Sequence, residues 1–141
     1  MSLSPERLDR FARHIVLPEI GGAGQIALAK KHLVLVGLGG IGSPALQYLA
    51  GAGIGKLTLV DDDRVDASNL QRQTLFNERD IGHGKAVIAK RWVTGFDPEL
   101  DVQISDRRIT VANAPDLVIG ADLVLDGTDN FATRLAVSDA C

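Results

Sequence analysis

The 141-residue sequence has a single cysteine, Cys141, at its last position. One cysteine excludes an intrachain disulfide framework and an all-cysteine zinc site. No apolar run approaches the roughly 20 residues of a membrane span, and the stretch from Met1 to Asp9 lacks the apolar core of a signal peptide. A cytoplasmic protein without membrane contact is expected. Positive charge is not in surplus: 15 Lys and Arg stand against 18 Asp and Glu, a formal net charge of −3. A broad electrostatic footprint for nucleic acid is thereby excluded, and any anion site must be local. His14, His32 and His83 show neither zinc-ligand spacing nor an adjacent nucleophile signature, so no catalytic role is expected of them. Internal repeats and low-complexity segments are also missing. The length suits one domain that can bury about two thirds of its unfolded surface, a sufficient core without staples.

The most informative feature present is Gly37-Leu38-Gly39-Gly40-Ile41-Gly42. It follows the apolar run His32–Val36 and precedes the helical stretch Ser43–Ala50, so the pattern is strand, glycine turn, helix start. Glycines allow positive φ and close approach of a ligand, and the N–H groups of a first helical turn attract phosphate oxygens. The next strand, Lys56–Val60, ends at Asp61, about 20 residues beyond the glycines, where an acid can accept hydrogen bonds from a ribose. Taken alone, these features describe an NAD site.

Upstream, Ser4 to Arg13 has a Ser N-cap, Pro at the first helical position and apolar Leu8, Phe11 and Ala12 at helical spacing. A turn is predicted at Gly21-Gly22 and a second helix over 25–31, with Lys30 and Lys31 near its C-terminal end. Strands at 32–36, 56–60 and 101–105 then alternate with helices at 43–52 and 83–94, a βαβαβ series whose right-handed crossovers make the sheet parallel. A helix at 112–118 leads to a fourth strand at 121–126. The predicted fold is α/β: a Rossmann-like parallel sheet with helices on both faces, strand order 3-2-1-4, plus N-terminal helices. Gly37, Asp61 and Asp126 all follow strand ends and converge on one crevice. The connection from Asp62 to Asp80 is longer than is ordinary for such units, which points to function.

Within that connection, Asp66 to Gln73 reads as a short helix that brings Asn69, Arg72 and Gln73 within one turn. A solvated helix face explains them, and so does a triphosphate, which suits a guanidinium fork with amide donors beside it. Lys85, at the start of the next helix, opposes the macrodipole; an anion between them resolves the conflict, while a surface charge is the plain alternative. Asp129 can support magnesium, or Asp129 or Thr128 can cap the helix that begins at Phe131. Arg13 reads as a surface arginine unless the N-terminal helix folds over the site or a neighbouring chain supplies it. Cys141 reads as a small buried helix residue rather than a nucleophile.

Together, Arg10–Ile15, Gly37–Gly42, Asp61-Asp62-Asp63, Ser68–Gln73, Lys85 and Asp126–Asn130 closely resemble the ThiF/MoeB/HesA family, bacterial relatives of the ubiquitin-activating enzymes. The resemblance runs from about residue 7 to the end. It implies an N-terminal helical segment over 1–31 and, over 32–141, a Rossmann-like domain that binds ATP rather than NAD. It further implies a nucleotidyltransferase that adenylates the C-terminal glycine of a ubiquitin-like sulfur-carrier protein, in molybdopterin or thiamine biosynthesis. By motif, Gly37, Gly39, Gly40 and Gly42 would border the ATP phosphates and Asp61 would hold the ribose. Asn69, Arg72 and Lys85 would bind the phosphate chain, and Asp129 would support magnesium and the reacting centre. Arg13 would match an arginine supplied by the other subunit of a homodimer. Family members continue well beyond the fourth strand, so a domain truncated at its C-terminal side is expected, with any zinc-binding Cys-x-x-Cys pairs in the part not present. An ATP-binding or assembly fragment without catalysis is the alternative reading, and an NAD-dependent oxidoreductase a further one.

Overall fold

The computed structural model describes residues 2–141; the first position of the predicted N-terminal segment, Met1, lies outside the described residues. Helices α1 (Pro5–Arg10), α2 (Ala12–Ile15) and α3 (Gly21–Leu28) precede the sheet. The sheet strands are β1 (His32–Val36), β2 (Lys56–Val60), β3 (Asp101–Ser105) and β4 (Leu123–Asp126), interleaved with α4 (Gly42–Ala52), α5 (Lys85–Phe96), α6 (Ala114–Val118) and the final α7 (Phe131–Ala140). All pairings are parallel and the strand order is 3-2-1-4, as predicted.

The two central strands, β1 and β2, are buried on both sides and read as largely apolar runs, whereas the edge strands β3 and β4 keep exposed residues such as Gln103 and Leu123. Leu33, Leu35, Leu57 and Leu59 pack on one face with Leu46 and Ala50 of α4 and Ile88, Ala89 and Val93 of α5. Val34, Val36 and Val60 pack on the other with Ala114 of α6 and Ala136 and Val137 of α7. In register, Val36 stands between Val60 and Asp126, and Val60 beside Ser105. The carboxyl ends of the strands therefore finish in one row, and the residues that follow them meet.

Three local expectations need correction. The N-terminal helix is broken at Phe11, whose ring is buried while its backbone leaves the helical region, giving α1 and α2 instead of one segment. Gly21 has the left-handed φ of +58° that a turn requires, but α3 begins at that residue and runs through Gly22. It ends before Lys30 and Lys31, and Lys31 pairs instead with Asp122 at 2.7 Å, at the amino-terminal side of the sheet. Cys141 follows α7 and is exposed, so it is not a packed helix residue.

The N-terminal helices are clamped to the sheet domain by charge. The Arg7 guanidinium donates to both carboxylate oxygens of Asp97 at 2.8 and 2.7 Å, and Asp97 is only 1% exposed. Without Arg7 the buried carboxylate keeps, among the described residues, only the Glu99 N–H at 3.2 Å and the longer contact to Arg10 Nε at 3.9 Å, a larger loss than that of a surface pair. Arg7→Ala is expected to lower unfolding free energy by about 2–4 kcal/mol in urea titrations. An unchanged midpoint would show that this clamp contributes nothing.

Candidate functional site

Beyond the row of strand ends lies a cleft of about 430 Å3. Its first wall is the glycine turn. Gly37 has φ +87°, and a side chain there would press on Gly127 and Thr128 within about 3.1 Å. Gly39 and Gly40 line the cleft, with the Arg72 side chain about 3.6 Å from where a Gly40 side chain would begin. Gly42 is not on the cleft wall: any Cβ there would overlap the Gly37 carbonyl, so this glycine lets α4 start against the end of β1. Ser43 closes the turn by donating from its N–H and Oγ to the Gly39 carbonyl, at 3.0 and 2.7 Å.

Asp61 ties this turn to the next segment. One carboxylate oxygen accepts from the Leu38 N–H at 2.7 Å and the other from the Asp63 N–H at 2.8 Å. Burial pushes its pKa above the ordinary aspartate value, against the pull of those two N–H donors and of the Lys85 ammonium.

The long connection after β2 is not loose. Two 3-10 turns, Ala67–Asn69 and Glu78–Asp80, each carry a reciprocal capping box, Asp66 with Asn69 and Asn77 with Asp80. Arg64 bridges to Gly84, and the Asp63 carbonyl accepts from the Lys85 N–H at 2.9 Å, so both ends of the connection are pinned beside the start of α5. This fixes Asn69, Arg72 and Lys85 on the cleft wall. Lys85 is 5% exposed, and its ammonium stands 3.7 Å from the exposed carboxylate of Asp63.

The opposite wall is the turn after β4. Asp126 accepts from the N–H and hydroxyl of Thr128, at 2.9 and 2.6 Å, and Arg134 grips the Thr128 carbonyl at 2.6 Å. Asn130, not Asp129 or Thr128, caps α7 by accepting from the Thr133 N–H at 3.0 Å. Asp129 thus lines the cleft as an exposed carboxylate with no hydrogen bond to the described residues, a donor that suits a water-coordinated divalent cation. The carboxylates of Asp61, Asp62 and Asp63 also lie within 4.8 Å of one another at the cleft's edge.

The cleft therefore brings together Gly37, Gly39, Gly40, Asp61, Asn69, Arg72, Lys85 and Asp129. Arg13 is exposed on α2 and is not part of the lining, because α2 packs on α3 rather than over the strand ends. Arg107, Arg108 and Arg134 line the cleft without having been singled out. The first two lie just past β3, after Asp106, and the strand order already places that segment in the row; Arg134 is brought in by the fold of α7.

A family model described as "ThiF family" matches residues 11–141. The chain belongs to the ThiF family. It is 44% identical over 141 residues to the SAMP-activating enzyme E1 of Haloferax volcanii, covering all of this chain and 52% of that protein. It is 46% identical over 138 residues to a probable molybdopterin-synthase adenylyltransferase of Porphyra purpurea, covering 98% of this chain and 36% of that one. Among solved structures, E. coli tRNA N6-threonylcarbamoyladenosine dehydratase in complex with ATP superposes with a TM-score of 0.90 at 30% identity, over 97% of this chain and 56% of that one. This ThiF-family chain thus spans about half, or less, of the length of these relatives. No helix of the described residues is long and apolar enough to cross a membrane.

The raised pKa of Asp61 has a consequence for stability. Between the unfolded and the folded pKa the native chain holds the proton more tightly, so this residue lowers unfolding free energy as pH rises through that window. Urea titrations from pH 3.5 to 7 are expected to show wild type losing stability relative to Asp61→Asn as pH rises. A pH-independent difference would mean that burial does not perturb this carboxylate.

Proposed function

We propose that this chain is the nucleotide-binding part of an ATP-dependent adenylyltransferase that activates the C-terminal glycine of a ubiquitin-like sulfur-carrier protein. The observation that carries the reading is the meeting, in one cleft, of the glycine turn, Asp61 and two cations from the connection after β2, Arg72 and Lys85. A ribose and a chain of phosphates need those partners together. A dinucleotide cofactor has little use for the two cations. The names of the relatives at 44–46% identity, a SAMP-activating enzyme and a molybdopterin-synthase adenylyltransferase, support activation of a carrier protein. The ATP complex of the dehydratase supports ATP as the nucleotide.

In this mechanism Asp61 accepts hydrogen bonds from the ribose hydroxyls, and the N–H groups around Gly39 and Gly40 meet phosphate oxygens at the start of α4. Arg72 and Lys85 hold the phosphate chain, with Asn69 beside them. The carrier carboxylate attacks the α-phosphorus: the new acyl O–P bond forms, the bond to the β-phosphate oxygen breaks, and pyrophosphate leaves with its electron pair. A carboxylate is already a competent nucleophile, so stabilising charge on the transferring group is the main task and no strong base is required. Asp129 is the residue we assign to magnesium, which would neutralise phosphate charge when bound with ATP. We further infer a cytoplasmic homodimer in which Arg13 reaches the neighbouring subunit's triphosphate, and we take 32–141 as the nucleotide domain after the helical segment 1–31.

Calorimetric titration is expected to show saturable ATP–magnesium binding that NAD does not displace. Arg72→Ala and Lys85→Ala should each weaken it by about 1–3 kcal/mol through lost charged hydrogen bonds; unchanged affinity in both removes them from the site. Pyrophosphate exchange into ATP that depends on added carrier protein establishes the reaction. Binding without exchange favours the second reading, an ATP-binding or assembly module without catalysis.

A further inference from the structure

Arg134 lines the cleft from α7, and its guanidinium is engaged with backbone. Nε and Nη2 both donate to the Thr128 carbonyl, at 2.9 and 2.6 Å, while the Arg134 N–H donates to the Asn130 carbonyl at 3.1 Å. Those two carbonyls belong to the residues on either side of Asp129. The peptide unit that joins Thr128 to Asp129 is planar, so the direction of its carbonyl sets the direction from which the Asp129 side chain departs. Among the described residues no other hydrogen bond reaches that unit, since the Asp129 N–H has no partner. The rest of the turn is fixed elsewhere, Gly127 by its N–H on the Val36 carbonyl at 2.7 Å and the Thr128 N–H and hydroxyl by the Asp126 carboxylate.

Arg134 is exposed, so water competes for its guanidinium and the contact adds little to folding. Its weight falls on geometry instead. Magnesium demands nearly ideal octahedral placement of its ligands and their waters, and a carboxylate on a free peptide unit must be ordered before it can serve, at a cost to binding. We infer that Arg134 is a positioning residue: its two donors on the Thr128 carbonyl hold the Asp129 carboxylate in the direction of the cleft before a nucleotide arrives. This rests on the ATP reading above and on the assignment of Asp129 to magnesium.

The test uses Arg134→Met, which removes both donors and keeps an unbranched, helix-favouring side chain. In the empty protein, backbone NMR relaxation is expected to give the Asp129 amide an order parameter of about 0.85 in wild type and below about 0.6 in Arg134→Met, with little change in melting temperature. Calorimetric titration of ATP, with magnesium and with EDTA, reads the consequence. Magnesium should strengthen ATP binding by wild type. Arg134→Met should lose roughly fivefold of that gain, bind magnesium-free ATP as wild type does, and cost nothing further when combined with Asp129→Asn. An Asp129 amide as rigid as in wild type overturns the inference. So does a loss of equal size with and without magnesium, or one that adds fully to that of Asp129→Asn, because Arg134 then touches the phosphates itself. If Arg134→Met does not fold, Arg134→Lys, with one donor for the carbonyl, carries the same test: a smaller magnesium gain and a looser Asp129 amide support the inference, and wild-type values of both overturn it. If wild type binds ATP but Asp129→Asn keeps the full magnesium gain, the inference falls with the magnesium assignment while the ATP reading stands. If folded wild type binds no ATP, all three fall.

Discussion

Helix α4 begins so close to the end of β1 that a single methyl group at Gly42 would overlap the Gly37 carbonyl. Most of the site depends on that contact. It aims the first turn of α4 at the space beyond the strand ends, where N–H groups without helical partners attract phosphate oxygens. It also draws the turn after β4 inward, since Gly127 would likewise crowd Gly42 if it carried a side chain. Backbone is stacked on backbone at three places, and the cleft is the volume this stacking leaves.

Charge is then distributed around that volume by hydrogen bonds to the backbone. Asp61 accepts from the glycine turn on one side and from its own connection on the other, so one carboxylate sets the spacing of two walls at the expense of its own hydration. The connection after β2 is folded into two capped turns and pinned to α5, which brings Lys85 to a nearly buried position 3.7 Å from the exposed carboxylate of Asp63. Arg72 lies along Gly40. A chain with net charge −3 thus gathers cations at one point while its surface as a whole does not attract anions.

Local signals were strong where one physical cause governs a segment. Apolar runs bounded by glycine mark β1 and β2 because strands of a covered parallel sheet are buried on both faces. The Ser4-Pro5 start of α1 is equally plain, since a side-chain acceptor followed by a residue without an N–H suits a helix N-terminus. Signals failed where two causes compete. Gly21 supplies positive φ and also opens a helix; the Phe11 ring is drawn into the core and breaks the segment that its spacing made continuous. Capping of α7 goes to Asn130, whose place directly before the helix gives its side chain the shorter reach to the Thr133 N–H.

From the sequence by itself came the parallel α/β fold with its 3-2-1-4 order, and the residue types that belong at a phosphate site. These follow from periodicity, handedness and the chemistry of side chains, which act over short stretches or apply to every chain. Which residues actually share one wall was decided by tertiary structure. The fold of α7 brings Arg134 onto the wall, backbone contact keeps Gly42 from lining the cleft, packing of α2 keeps Arg13 away from it, and among the described residues the oxygen of Gln73 is left without a donor. Those outcomes depend on distances between segments far apart in the chain, and no local pattern encodes them.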